Sequence, residues 1–430
     1  MDDNVNLQSR RAAGAVKTPG LVLLYILAFM MASGFTIQGF ASVFHLSDVL
    51  GAGAGAVGRA TGIQGLAYLA GCFLFPLLRR HEGLAQDFRI LIFASPILAG
   101  LTVLFYFVPT VGGATIVLAG TGLATAFLWP PLMGVVSSLA EGSSLNRVMA
   151  RYNLSWTLGP VLMPVIAGAL YMRGSFFAFS AAGLMFAGGG AVYLFFFLFR
   201  RQYFANTAEA DVKTAAPEGM PDAGIPGDSV DELLLNELTL REHRVSSWIL
   251  LFSEHVVMGL LVFILPLSLR TDTGLNELSV GIVAFARSVF MMAGMWAFGH
   301  LDFWHFNRRS ALQMSALYLL LLMAMYFFRS TTLVYIAVIA LTGIPAAYFY
   351  SSGVFHGVAG SANRSRRMAV TEAVMTGGMF IGAALGGSLY QLRGMGAALS
   401  SAGGILLMGT VITYVIVRII DISAQKETAE

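Results

Sequence analysis

Cysteine and charge are what this 430-residue chain has least of. Its single cysteine, Cys72, lies in an apolar run, so no disulfide can close within the chain and no cysteine metal cluster is on offer. Charged residues make up 11% of the sequence, where an ordinary soluble domain carries about 25%. That scarcity excludes a soluble globular fold. No Gly-rich loop carries the lysine that a nucleotide phosphate needs; Gly51-Ala52-Gly53-Ala54-Gly55 comes nearest and lacks it. No polar segment is long enough to be an ATP-hydrolysing domain, so no cofactor, no metal and no enzymatic activity are expected, and any work must draw on a gradient. A cleavable signal is not expected either, because the apolar run after Lys17 is too long for a signal-peptide core, and the pair Arg10-Arg11 lacks the rest of a twin-arginine signal.

What is present is apolar surface. Hydrophobic residues make up 57% of the chain, and there are 48 glycines. Small residues let helix backbones approach closely in lipid, so the composition predicts an all-α membrane protein whose first partner is the bilayer. The net charge is +3, but its placement speaks for membrane topology and against a nucleic-acid partner.

At about 20 apolar residues per crossing, twelve spans are predicted: 21–45, 56–78, 89–108, 112–137, 150–172 and 175–199, then 246–269, 278–299, 309–328, 331–357, 368–392 and 397–420. An even number puts both termini on one side. The loops on that side hold most of the arginine and lysine, whereas the opposite loops hold only Arg59, Arg173, Arg270, Arg329 and Arg393. The positive-inside rule then places both termini in the cytoplasm, in a membrane of the bacterial inner (plasma) type. The chain divides into a tail over 1–17, a six-helix bundle over 18–200, a cytoplasmic linker over 201–245, a second six-helix bundle over 246–420 and a tail over 421–430. Within the linker, Asp231 to His243 clusters leucines between charges and reads as a short surface helix or a plain connector.

The two bundles repeat one another. Met149 to Tyr171 reappears as Met368 to Tyr390, with Met149/Met368, Ala150/Ala369, Thr157/Thr376, Gly159/Gly378, Gly168/Gly387, Leu170/Leu389 and Tyr171/Tyr390 identical. At nearly the same spacing Ala119, Thr121, Gly122 and Ala126 meet Ala340, Thr342, Gly343 and Ala347, and Gly58 and Gly71 meet Gly281 and Gly294. Segments in the same order at a near-constant offset indicate a parallel duplication.

Two parallel six-helix repeats joined by a long cytoplasmic loop resemble the major facilitator superfamily, over about residues 18 to 420. Its loop signature, G-x-L-A-D-R-x-G-R, is matched with altered spacing by Gly299, Leu301, Asp302, Arg308 and Arg309. The first-half copy has decayed to Phe75-Pro76-Leu77-Leu78-Arg79-Arg80, without glycine or acid, so that half must close differently, with Glu141 as a candidate. Gly159-Pro160 resembles part of the glycine-rich signature of drug antiporters, but Met163-Pro164 replaces the following Gly-Gly. The resemblance implies a monomeric secondary transporter for a small solute, working by alternating access. The rival reading is a member of the fold that no longer transports and acts as an assembly factor or ligand sensor.

Ionisable groups within spans are costly and mark function or pairing. Three stand out: Glu254, Arg287 and Glu372. Arg287, near mid-span, is an anchor for an anionic solute or a structural partner of Glu254. Glu254 is the candidate for proton coupling, since a buried carboxyl near an arginine can load and release a proton. His255, about 100° round the helix from it, reads as a packed histidine. Glu372, one turn inside the cytoplasmic end of its span, is assigned by that shallow depth to an inner gate in contact with Arg364, Arg366 or Arg367, ahead of substrate binding. The resemblance implies that Asp302 closes the same gate against the start of that helix, since an acid favours a helix N-terminus. The uncharged candidates for substrate binding are Thr36, Gln38, Gln64, Asn153, Trp156, Tyr348 and Tyr350. His45 and Asp48 close the first span on the outer side and read as a solvated helix end, with a proton-accessible pair as the alternative.

Overall fold

The computed structural model describes residues 18–78, 84–138, 143–203, 230–359 and 364–427, and among them no strand occurs. Helices α1 (Thr18–Asp48), α2 (Ala54–Leu78), α3 (Leu84–Phe107), α4 (Val111–Ala126), α5 (Trp129–Ser138), α6 (Ser143–Arg173) and α7 (Ser175–Tyr203) form the first half. The second half has α8 (Val230–Gly259), a π-turn (Leu260–Ile264), α9 (Leu265–Thr271), α10 (Glu277–His300), α11 (Arg308–Phe327), α12 (Thr332–Leu341), α13 (Gly343–Val358) and α14 (Arg364–Glu427). Ten helical stretches among the described residues are long and apolar enough to cross a membrane. Of the twelve expected spans, α2 is not in that set, and the last two are joined in one stretch, Arg367–Ile416.

The breaks in these helices follow from residue chemistry. Prolines 130, 131 and 345 have no N–H to return to the preceding turn, and α4 gives way to α5, and α12 to α13, beside them. Pro266 likewise frees a carbonyl one turn back, and the N–H of Leu265 reaches to Leu260 in a π-turn. Gly394, at φ 77° and ψ 178°, interrupts α14 in a conformation open only to glycine. The two arms that result both return to α8: Gly382 packs on Val256 and Gly409 on Ser253. Asn276 and Asn307 cap α10 and α11 with side-chain oxygens that accept from Ser279 (2.9 Å) and Arg309 (3.0 Å).

Nothing in 230–258 can stop a helix, since neither Gly nor Pro occurs there. The segment Asp231–His243 is therefore a continuous extension of α8 and not a separate surface helix. Arg79, Arg80 and Glu141 lie outside the described residues, as do the tails over 1–17 and 428–430 and the linker over 204–229.

One apolar cluster, from Leu24 to Phe196, belongs wholly to the first half. A larger one runs from Ile37 to Leu406 and joins the halves. Similar glycine contacts occur within each half. A side chain at Gly71 would meet the Ala126 Cβ at 2.5 Å, and one at Gly294 the Ala347 Cβ at 2.7 Å. Gly122 packs on the Gln64 carbonyl as Gly343 packs on the Arg287 carbonyl.

Candidate functional site

The halves meet along two lines, α2 against α14 and α6 against α10, and glycine makes both possible. A Cβ at Gly58 would lie 2.3 Å from the Ala383 carbonyl oxygen, and one at Gly387 2.5 Å from that of Ala54. On the other line, Gly168 would meet the Glu277 oxygen at 2.4 Å and Gly281 the Pro164 oxygen at 2.3 Å. Backbone thus touches backbone across the seam.

Polar groups tie the seam at the end remote from Thr18. Arg270 pairs with Asp48 of the other half, and its Nη1 lies 3.3 Å from Glu277 Oε1. Its guanidinium also sits over the Phe44 ring, 5.6 Å from the centroid. Tyr171 donates its hydroxyl to Asp48 Oδ2 at 3.2 Å, and Tyr390 donates to Asp272 Oδ1 at 2.9 Å. The backbone N–H of Gly55 donates to Gln391 Oε1 at 2.8 Å, from one half to the other.

Further along the same seam lies Glu372. It precedes Ala383, which touches α2, by about three helical turns and so shares its face, about 16 Å nearer the termini. Tyr68 and Cys72 of α2, Tyr152 of α6 and Tyr350 of α13 are all within electrostatic range of its carboxylate. Trp156 meets Tyr350 edge-on across the seam with ring centroids 6.3 Å apart, and its Nε1 donates to Asn153 Oδ1 at 3.2 Å. Neighbouring Thr371 accepts from Trp248 at 3.0 Å and so fixes the turn that carries Glu372. Glu372, Tyr68, Cys72, Asn153, Trp156 and Tyr350 are half-buried, each keeping accessible surface within the interior. A carboxylate, an amide and a set of aromatic rings contributed by both halves make a site that can bind a solute and sense the relation of the halves.

The other two charged candidates lie elsewhere. Arg287 is buried inside the second half, donating to Thr342 Oγ1 at 3.2 Å and to Met258 Sδ at 2.9 Å. Glu254 is 1% exposed, and neither carboxylate oxygen has a hydrogen-bond partner among the described residues. No ion pair joins these two among the described residues, and Tyr318 of α11 lies within electrostatic range of both. Nδ1 of His255 is 2.6 Å from Glu254 Oε2, but it hydrogen-bonds the Leu251 carbonyl at 3.0 Å, so the carboxylate contact is close without being aligned. His255 itself faces α14, with its Cβ against Gly378 and Glu372 within electrostatic range.

Of the uncharged candidates, the structure brings Asn153, Trp156 and Tyr350 together beside Glu372. Gln64 instead donates to Thr121 within the first half at 3.3 Å, and Thr36 bonds its own helix at Ala32. Gln38 is 1% exposed, with neither end of its amide hydrogen-bonded among the described residues. Tyr348 is equally buried and packs on Phe298 and Trp304, away from the seam. Asp302, 91% exposed, lies 3.6 Å from His305. Its loop is pinned from the other side, where His356 Nε2 accepts the Phe306 N–H at 3.2 Å. Arg367 stands five residues before Glu372, about 140° round the helix, and forms no ion pair with it among the described residues. The side chains of Arg364 and Arg366 lie outside the described residues. Sequence reasoning missed Arg270, Tyr68, Tyr152 and His255, and read Asp48 as solvated; the identity Tyr171/Tyr390 was the one signal that pointed to the remote end.

The family profile of the Major Facilitator Superfamily matches residues 21–355. Among solved structures, a D-xylose-proton symporter superposes with a TM-score of 0.66 at 13% identity, covering 93% of this chain and 98% of that one. A POT family transporter in complex with a thioalcohol-conjugated peptide gives 0.68 at 14%, covering 94% and 96%. A bacterial homolog of the human lysosomal transporter Spinster, in an inward-facing and unoccupied conformation, gives 0.63 at 15%, covering 94% and 96%. No curated protein sequence matches the chain. Apolar helices that pack in this way, a seam between halves and a profile match over most of the length identify an integral, multi-pass membrane protein that belongs to the Major Facilitator Superfamily.

Proposed function

We propose that this protein is a monomeric secondary active transporter that moves a small solute across a bacterial-type inner (plasma) membrane by alternating access, coupled to protons. In this reading the helices cross twelve times as two six-helix repeats, with both termini cytoplasmic. The observation that carries it is the seam: glycine-to-backbone contact along two lines, a polar tie at the remote end and a half-buried acidic and aromatic cluster further in. Two bodies so arranged can rock about a shared site. The paired contacts Gly71–Ala126 and Gly294–Ala347, and Tyr171–Asp48 and Tyr390–Asp272, support the duplication.

Each charged candidate takes a role from its surroundings. Glu254 is the coupling carboxyl, buried on α8 with neither oxygen hydrogen-bonded among the described residues. Arg287 braces α8, α10 and the α12–α13 junction. Glu372 serves the substrate site, and Asp302, Arg366 and Arg367 belong to the cytoplasmic rim that closes when the remote end opens.

Cys72, the single cysteine, provides the test because it is half-buried beside Glu372. In oriented vesicles a membrane-impermeant maleimide should label it from the terminus side. Substrate and a proton gradient should transfer part of the labelling to the opposite side. Labelling that never changes side, together with no solute accumulation, defeats the reading.

A further inference from the structure

The seam site has a sign. Glu372 has no ion-pair partner among the described residues, and the described basic side chains are engaged or directed elsewhere. Arg287 is committed to Thr342 and Met258 inside the second half. Arg367 is turned away, Arg151 is exposed, and the lysines stand only at 17, 213 and 426. Among the described residues, His255 is the one group near Glu372 able to take a positive charge. Tyr68, Tyr152 and Tyr350 are within electrostatic range of the carboxylate, and Trp156 packs edge-on against Tyr350 at 6.3 Å between ring centroids.

A carboxylate held in apolar surroundings without a counter-charge is costly. A ligand that brings the missing charge relieves that cost, and aromatic faces attract the same kind of ligand through their quadrupoles. An anionic solute would meet repulsion from Glu372 and find no arginine fork among the described residues to receive it.

We infer that the substrate of this site is an organic cation with apolar or aromatic bulk, its charge held by Glu372 and its body by Trp156 and Tyr350. This deepens the transporter reading and rests on it. The sequence admitted an organic anion on the strength of Arg287; the position of that arginine within the second half removes the support.

The test uses the full chain in lipid nanodiscs, with two probes of equal shape and opposite charge, tetraphenylphosphonium and tetraphenylborate. Thermal stabilisation and equilibrium binding should show phosphonium bound at least about tenfold tighter than borate. Glu372→Gln should weaken phosphonium by about tenfold or more, Glu372→Asp should restore most of it, and Trp156→Ala should weaken it severalfold. The ligand-free melting temperature of each variant separates lost binding from lost folding. Equal affinity for the two probes, no phosphonium binding, or an unchanged Glu372→Gln affinity overturns the proposal. Cys72 labelling keeps the two levels distinct: if it still alternates between sides, only the substrate class is wrong, and if it does not, the transporter reading falls with it.

Discussion

The hydroxyl of Tyr390 donates to Asp272, and Tyr171 donates to Asp48 at the corresponding place in the other half. Both tyrosines end a helix of the seam, and both aspartates end the helix beside it. Only one half adds a cation, Arg270, whose counterpart by spacing is Leu46. The remote end is therefore two similar clasps joined by one arginine.

Asp48→Asn should loosen that join. The Arg270 and Asp48 side chains are 34% and 25% exposed, so the stability change should stay within about 1 kcal/mol. Accessibility should change far more. Impermeant maleimide added on the side remote from the termini should label Cys72 several times faster than in wild type, and an unchanged rate would remove Asp48 from the gate.

Gly58 and Gly281 place backbone against backbone, and a β-branched side chain has no room at either position. Gly58→Val should separate the halves along α2 and α14 at the remote end. Solute uptake by proteoliposomes should fall at least about tenfold while the helical circular dichroism signal is retained. Spin labels placed on the two helices should report a longer mean distance.

Arg287→Gln tests brace against anchor. Loss of its contacts with Thr342 and Met258 should cost about 1–3 kcal/mol and lower the melting temperature, with substrate affinity changed less than twofold. A large affinity loss at unchanged stability would return Arg287 to the substrate.

Glu254→Gln should separate coupling from movement. Accumulation driven by a proton gradient should be lost, and solute exchange under equal pH should continue. Retained accumulation would show that the coupling carboxyl lies elsewhere.

Gly394 carries the reversal of α14, and Gly394→Ala would force a non-glycine residue into φ 77°. A loss of about 1–3 kcal/mol is expected, measured as a lower melting temperature in a fixed detergent.

Much of the fold was legible because the bilayer imposes simple rules. Apolar run length located the helices, and the likeness of Met149–Tyr171 to Met368–Tyr390 falls on two helices that both lie on the seam. The site was legible only in part, because an intramembrane charge announces itself whichever way its helix faces. Glu254 and His255 illustrate the limit. The angle between them follows from helix geometry, but only packing decides that Glu254 is buried within electrostatic range of Tyr318 and that His255 faces α14. The same uncertainty hid Arg287 inside its own half. Arg270 escaped notice because a helix-end arginine looks solvated until the opposite half supplies Asp48.

Arg270 has carboxylates on both sides of it, one from each half. In the proposed rocking motion the arginine need not face water or lipid alone, since Glu277, in the same half, stays beside it. Asp48 likewise keeps the hydroxyl of Tyr171. Opening in that proposed motion would be a change of partners within two ready-made sets, its barrier set by how firmly the arginine prefers one carboxylate to the other rather than by the cost of stranding an ion.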